Sequence, residues 1–161
     1  NGDLKHEFGT ISYTEREQIL DLLDFFKDKE VVIIKGNHDP IIEPIVKNRS
    51  VKVMEKYDVN DYSIIHGDHI IKKLNKTIII GHEHPAISFP ERPDEKYKCF
   101  LKGKYKEHNI IVLPSFNMIN PGSDVKKEKL LSPFLQRKID NFEVYVVEDK
   151  IYNFGKLKNI K

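Results

Sequence analysis

The sequence predicts an α/β fold, either one mixed sheet or two sheets packed together, with helices outside. Three observations predict it. Short β-branched runs at Val31–Ile34, Tyr62–Ile65 and Thr77–Ile80 read as buried strands. An apolar repeat of helical period precedes the first of them. Strands of alternating character follow late in the chain.

The elements follow in order. Thr14-Glu15-Arg16-Glu17 matches a capping box, a hydroxyl residue followed three positions later by Glu. Ile19, Leu22, Leu23 and Phe26 come next at helical spacing, so a helix is expected over about 15–28. Gly36 ends the run Val31–Ile34, and Pro40 favours a first helical turn, which makes Ile41–Val46 a short helix. Val51–Met54 is expected as a strand. The polar stretch 90–96 (Pro-Glu-Arg-Pro-Asp-Glu-Lys) reads as a loop. From Tyr97 the pattern alternates: Tyr97, Cys99, Leu101 and Tyr105 face one way, and Lys98, Lys102, Lys104 and Lys106 the other. That is a half-buried strand, with Gly103 as a bulge. Ile110–Leu113 is a further strand, and Asn120–Ser123 a turn cluster. Phe142–Val147 and Ile151–Phe154 form a terminal hairpin across Glu148-Asp149-Lys150. The expected total is about seven strands with one good helix and one or two short ones.

Composition excludes several classes. With 161 residues the chain suits one domain, spanning 1–161. Its 27 basic and 25 acidic side chains leave a net charge of +2, so no basic footprint for nucleic acid covers the whole surface, although a local patch remains open. Cys99 is the only cysteine, which rules out an internal disulfide and makes a cytoplasmic location the expectation. No apolar run approaches the roughly 18 residues that span a bilayer, so no membrane partner is expected. Oligomeric state is left open.

The chemistry lies where the buried runs stop. Val31–Ile34 leads into Lys35-Gly36-Asn37-His38-Asp39, Tyr62–Ile65 into His66-Gly67-Asp68, and Thr77–Ile80 into Gly81-His82-Glu83-His84-Pro85. In open α/β sheets the functional crevice lies beyond the carboxyl ends of the strands. If these strands run parallel, Asn37, His66, His82 and His84 converge at one edge, and Asn1-Gly2-Asp3 adds a carboxylate. Imidazole nitrogens and harder oxygens together suit two divalent cations. Such a pair clamps the attacking and leaving oxygens of a phosphoryl transfer and lowers the pKa of a shared water. Gly36 and Gly81 allow sharp turns and close approach to an anion.

These ordered elements (Gly-Asp, Gly-Asn-His-Asp, an isolated His and Gly-His-Glu-His) resemble the motifs of the calcineurin-like metallophosphoesterase superfamily. Gly2-Asp3-Leu4-Lys5-His6-Glu7-Phe8-Gly9 resembles its ICC-like branch of archaeal and bacterial phosphoesterases, some of them DNA-ligase-associated. The resemblance covers about the first 85 residues. It implies a four-layer α-β-β-α sandwich of two mixed sheets. It also implies hydrolysis of a phosphate mono- or diester by a hydroxide bridging two divalent metal ions, manganese foremost, with iron, zinc or magnesium as alternatives. Asp3 is then the bridging carboxylate, Asn37, His66 and His82 complete one metal's ligands, and His84 binds the other. His38 is the catalytic histidine that contacts phosphate or protonates the leaving oxygen, and Asp39 orients it. The family's first motif, Asp-x-His on an earlier strand, has no counterpart upstream of Asp3, so the domain is expected to lack its first strand here.

Plainer readings stand beside these. Asn37 suits a turn, and Asp39 a helix cap. His69, His108 and Asp68 read as surface or turn residues, while His6 is open to facing a substrate. Arg49 and Arg92 are candidates for a second phosphate, though a structural role is preferred. The Lys98/Lys102/Lys104/Lys106 stripe reads as a solvated face protecting an edge, with contact to a phosphate backbone as the alternative. Cys99 reads as buried and inert. The functional alternatives to the phosphoesterase are a catalytically weak scaffold of the same fold and a nucleic-acid-binding accessory protein.

Overall fold

A computed structural model describes residues 1–6 and 9–160; Glu7 and Phe8 of the Gly2–Gly9 motif lie outside the described residues. The chain is a mixed α/β structure with two sheets. Helix α1 spans Tyr13–Phe25, two residues earlier at its start than expected, because the N-cap is Ser12 and not Thr14. The Ser12 hydroxyl oxygen accepts the Glu15 N–H at 3.1 Å. Shifting the start also changes the buried face to Ile19, Leu20 and Leu23, leaving Leu22 and Phe26 exposed.

The smaller sheet is the parallel pair β1 (Val31–Ile34) and β2 (Val51–Met54). Short helix α2 (Ile42–Val46) links them. Strand period decides what each face meets. Ile33 and the partly buried Val31 pack with Ile19, Leu23, Ile42 and Val46 of the two helices. Val32 and Ile34 face the opposite way, across a cleft of about 570 Å³ shared with Tyr57, Ile64, Ile79 and Leu113 of the larger sheet.

The larger sheet has β3 (Lys56–Val59), β4 (Tyr62–Ile65), β5 (Thr77–Ile80), β6 (Pro85–Phe89), β7 (Arg92–Tyr105), β8 (His108–Val112), β9 (Ser123–Asp124), β10 (Glu143–Val147) and β11 (Ile151–Lys156). Its order is β11-β10-β7-β8-β5-β4-β3, with β6 joining β7 to β9. Strands β4, β5 and β8 run parallel, in the register Ile65↔Ile80↔Val112. Ile65, Ile78, Ile80, Ile110 and Val112 have no exposed surface and form the main core with Phe134, Leu135 and Val144. Burying each such side chain contributes about 1.5–3 kcal/mol, so these three strands are stiff supports for whatever their ends carry. The cover over this core comes from β6, β9 and a 3-10 turn at Pro133–Leu135. No helix among the described residues is long and apolar enough to cross a membrane.

Several expectations change in detail. The stretch 90–96 is not a loop: Pro90 and Glu91 turn a hairpin, and residues 92–96 are the exposed start of β7. Every side chain there faces water, so the alternation that signals a strand is missing. Gly103 carries no bulge, since β7 and β8 keep continuous register through Gly103↔Ile110. Its role is room, because a Cβ there would lie 2.3 Å from Cδ1 of the Phe142 ring. Within the lysine stripe Lys102 has strands on both sides, since β7 pairs with β10 over 99–102 and with β8 over 101–105, which leaves Lys104 beyond the β10 pairing. Lys102, Lys104 and Lys106 are exposed, whereas Lys98 turns onto the loop after β8. Cys99 is fully buried, and burial pushes its thiol up to about 12.

Gly103→Ala should therefore destabilise the fold by about 1–3 kcal/mol, the usual range for overpacking a core. Urea unfolding of the two proteins checks this, and equal midpoints would contradict the role given to the Phe142 ring.

Candidate metal centre

The site grows from three chain reversals at the carboxyl ends of β1, β4 and β5. After β1, the Asp39 N–H donates to the Gly36 carbonyl at 3.1 Å and closes a tight turn. The Asp39 side chain has no exposed surface. Its carboxylate accepts the N–H groups of Gly36 (3.0 Å), Leu4 (3.2 Å) and Lys5 (3.0 Å). Asp39 thus stitches the segment around Asp3 onto the turn after β1. The His38 ring, expected to be oriented by Asp39, donates from Nδ1 to the His6 carbonyl at 2.6 Å. A buried carboxylate is costly unless hydrogen-bonded. Three backbone N–H groups meet that need here, and no sequence pattern marks two of them, since Leu4 and Lys5 lie 35 and 34 residues away.

With the segment pinned, Asp3 Oδ1 accepts the His38 N–H at 3.0 Å, and Oδ2 lies 3.3 Å from His66 Nε2. Two glycines make this approach feasible. A Cβ on Gly36 would fall 2.1 Å from Asp3 Oδ1, and one on Gly2 would fall 2.0 Å from His66 Nδ1. Gly2 also sits at φ +75°, which suits glycine alone at low cost. Asp3, His82 and His84 adopt left-handed backbone at φ 52°, 55° and 50° without that freedom. Strain of this kind persists where surrounding contacts over-determine the conformation, and it clusters at functional sites.

His66 is the hub. Its Nδ1 lies 3.3 Å from the Asn1 carbonyl oxygen, which can only accept, so Nδ1 carries the proton in the neutral ring and Nε2 carries the lone pair. Around that Nε2 stand Asn37 Oδ1 at 3.1 Å, His82 Nδ1 at 3.2 Å and Asp3 Oδ2 at 3.3 Å. Asp3, His66 and His82 together form a cluster able to hold a metal ion. One nitrogen can share a single proton with one neighbour, so the remaining lone pairs face one another unless a cation sits among them. The donor set therefore fits a divalent metal.

The titration behaviour follows the same crowding. Burial would raise the Asp3 carboxyl, but hydrogen bonds from His66 and from the His38 N–H outweigh it and hold Asp3 below the usual range. Burial works to lower His66, yet its pairing with Asp3 prevails and raises it. Burial, then the neighbouring His66, keep His82 low, and burial does the same for His84. Neutral imidazole is the metal-binding form.

The structure thus brings Asp3, Asn37, His66 and His82 together. His84 and His38 stand beside them, in the wall of a cleft of about 280 Å³ that Asp3, Lys5, His6 and Asn120 also line. His69 is exposed and bonded to Asp68, and His108 is bonded to the Asn75 carbonyl. Arg49 is taken by Asp24 and Arg92 by Glu95, so neither reaches the site.

Sequence reading missed two supports. Glu83, between the two histidines, is buried and its Oε2 accepts the N–H groups of Leu131 (2.8 Å) and Ser132 (2.7 Å). Ser132 in turn donates from Oγ to the Gly67 carbonyl at 2.7 Å, tying together the turns after β4 and β5. Asn120 holds His84, its Nδ2 donating to Nδ1 at 3.0 Å while its Oδ1 accepts the Gly122 N–H. The Asn-Pro-Gly cluster announced a turn and nothing about its partner.

If Asp39 and the missing side chain at Gly36 keep Asp3 in place, Asp39→Asn and Gly36→Ala should each lower manganese affinity roughly 10- to 100-fold. The readout is the manganese-dependent rise in the thermal midpoint of the full chain, and full retention of that rise in both variants would contradict the assignment.

No protein-family model matches the chain, and no curated protein matches it. Among solved structures it is similar to the crystal structure of Pseudomonas putida nuclease MPE, with a TM-score of 0.68 and 18% sequence identity over 95% of this chain and 67% of that one. That likeness shows a shared fold, a mixed α/β structure with two sheets.

Proposed function

We propose that the protein is a divalent-metal-dependent phosphoric ester hydrolase acting on phosphodiesters, with manganese as its preferred ion. One observation carries this reading: Asp3 Oδ2, Asn37 Oδ1 and His82 Nδ1 all lie 3.1–3.3 Å from a single imidazole nitrogen of His66. The fold shared with a nuclease supports it. Cations held at this edge supply Lewis-acid polarisation of a phosphoryl oxygen and water activated near neutral pH.

The chain's own residues supply the rest. Asp3 faces both the His66 cluster and the cleft wall, the placement a bridging carboxylate needs. His84 would serve a second cation on the cleft side through Nδ1, exchanging the Asn120 hydrogen bond for the ion. A further strand would supply the ligands that complete its shell. Among the described residues β1 pairs on one edge only, and the apolar cleft beside it, lined by Val32, Ile34, Ile64, Ile79 and Leu113, has the character to take such a strand. The His6 carbonyl fixes the Nδ1 proton of His38, so Nε2 is the atom that gains a proton and returns it to the leaving oxygen.

The full chain with manganese should hydrolyse bis(p-nitrophenyl) phosphate, and chelation should abolish the activity. His38→Ala should keep manganese binding and lower kcat by about 100-fold, within the usual range for a lost general acid. Wild-type turnover in that variant would remove His38 from the mechanism. A wild-type protein that binds no divalent ion would remove the function itself.

A further inference from the structure

The segment between β8 and β9 begins beside the site: the Leu113 N–H donates to the Ile80 carbonyl at 2.8 Å, at the end of β5. Its base is firmly held. Lys98, the lysine that left the solvent-facing stripe, donates from Nζ to the carbonyls of Ser115, at 2.9 Å, and Asn117. Such charge-assisted bonds are roughly twice as strong as neutral ones. The Asn117 side chain accepts the Ile119 N–H at 2.9 Å, and Asn120 is bonded to His84. Ser115, Asn117 and Asn120 line the metal-side cleft. Between these inward residues the loop displays Phe116 at 101% exposure, Ile119 at 90% and Met118 at 88%. Three large apolar side chains therefore stand in water on a loop whose polar residues are all engaged at its base. A contiguous exposed apolar patch of this kind marks a binding surface.

We propose that Phe116, backed by Met118 and Ile119, is a stacking platform for the bases of a single-stranded nucleic acid whose scissile phosphate lies in the adjoining cleft. The inference rests on the phosphodiesterase reading above and names its substrate class. Both sequence neighbours of Phe116, Ser115 and Asn117, line the cleft, so its ring stands at the cleft's margin, where a base attached to a phosphate in the cleft would pass. Aromatic stacking is tolerant of sequence and needs bases whose faces are free, which single strands offer and duplexes do not. A net charge of +2 gives the backbone little overall attraction, so binding has to draw on such apolar contacts.

The test uses the full chain with manganese and three substrates: a single-stranded oligonucleotide, the same strand with abasic sites, and methyl p-nitrophenyl phosphate. Phe116→Ala should raise KM for the intact strand roughly 5- to 100-fold, and Phe116→Trp should restore it. Hydrolysis of the small diester should be unchanged in both variants, and the abasic strand should no longer distinguish wild type from Phe116→Ala. An unchanged KM for the intact strand, or an equal penalty on the abasic strand, overturns the proposal, as does equal loss on the small diester. A wild-type protein that cleaves the small diester but neither binds nor cleaves the strand overturns the platform alone. One that cleaves neither overturns the hydrolase reading together with it.

Discussion

Electrostatic crowding at one nitrogen organises this molecule. His66 Nε2 faces Asn37 Oδ1, His82 Nδ1 and Asp3 Oδ2 from three sides at 3.1–3.3 Å, while its other nitrogen faces the Asn1 carbonyl. Like-signed dipoles held at such distances are unfavourable without a cation, and the chain accepts further costs to keep them there. Three residues at the site, Asp3, His82 and His84, sit in left-handed backbone, Asp39 is buried, and at two glycines there is no room for a side chain. Each cost has a compensating contact: Asp39 takes three N–H groups, and Gly36 and Gly2 give up packing to admit Asp3 and His66. The arrangement is coherent as a preorganised metal site, where ligands held in advance lose little freedom on binding.

The fold supplies the rigidity this requires. Parallel strands β4, β5 and β8 are pinned by the fully buried Ile65, Ile78, Ile80, Ile110 and Val112, which restrains their carboxyl ends from drifting independently. The Gly81 N–H donates to the His66 carbonyl at 2.8 Å and locks two of those ends to each other. Glu83 repeats the lock from the far side through Ser132. The β1 turn belongs to the other sheet, and it reaches the site through Asp39 and Asn37. The centre is therefore a joint between the two sheets, where a bound ion would hold them together as well as take part in chemistry.

The clustering of Asp3, Asn37, His66 and His82 was legible because these residues sit where strong local patterns stop. A β-branched run followed by Gly-Asn-His-Asp or Gly-His-Glu-His states both where the strand ends and what its end carries, and the parallel pairing of β4 with β5 then brings His66 and His82 together. Other features were illegible for physical reasons. Ser12 and Thr14 are both competent caps with a Glu three residues on, and tertiary packing of Leu20 chose between them. Strands β3 and β6 lack long alternation, and the start of β7 is exposed on every side chain. Asp39 and Glu83 were each read through their neighbours in sequence, but their carboxylates turned to backbone N–H groups that fold nearby from distant segments. The partner of Lys98 lies 17 residues on, so its departure from the lysine stripe had no local signature.

The most direct test of the account is the anomalous scattering of crystals grown with manganese. The account predicts a manganese peak bonded at once to His66 Nε2, His82 Nδ1, the Asn37 side-chain oxygen and the Asp3 carboxylate. Finding those four groups closed on one another around a proton, with no ion among them at saturating manganese, would contradict it.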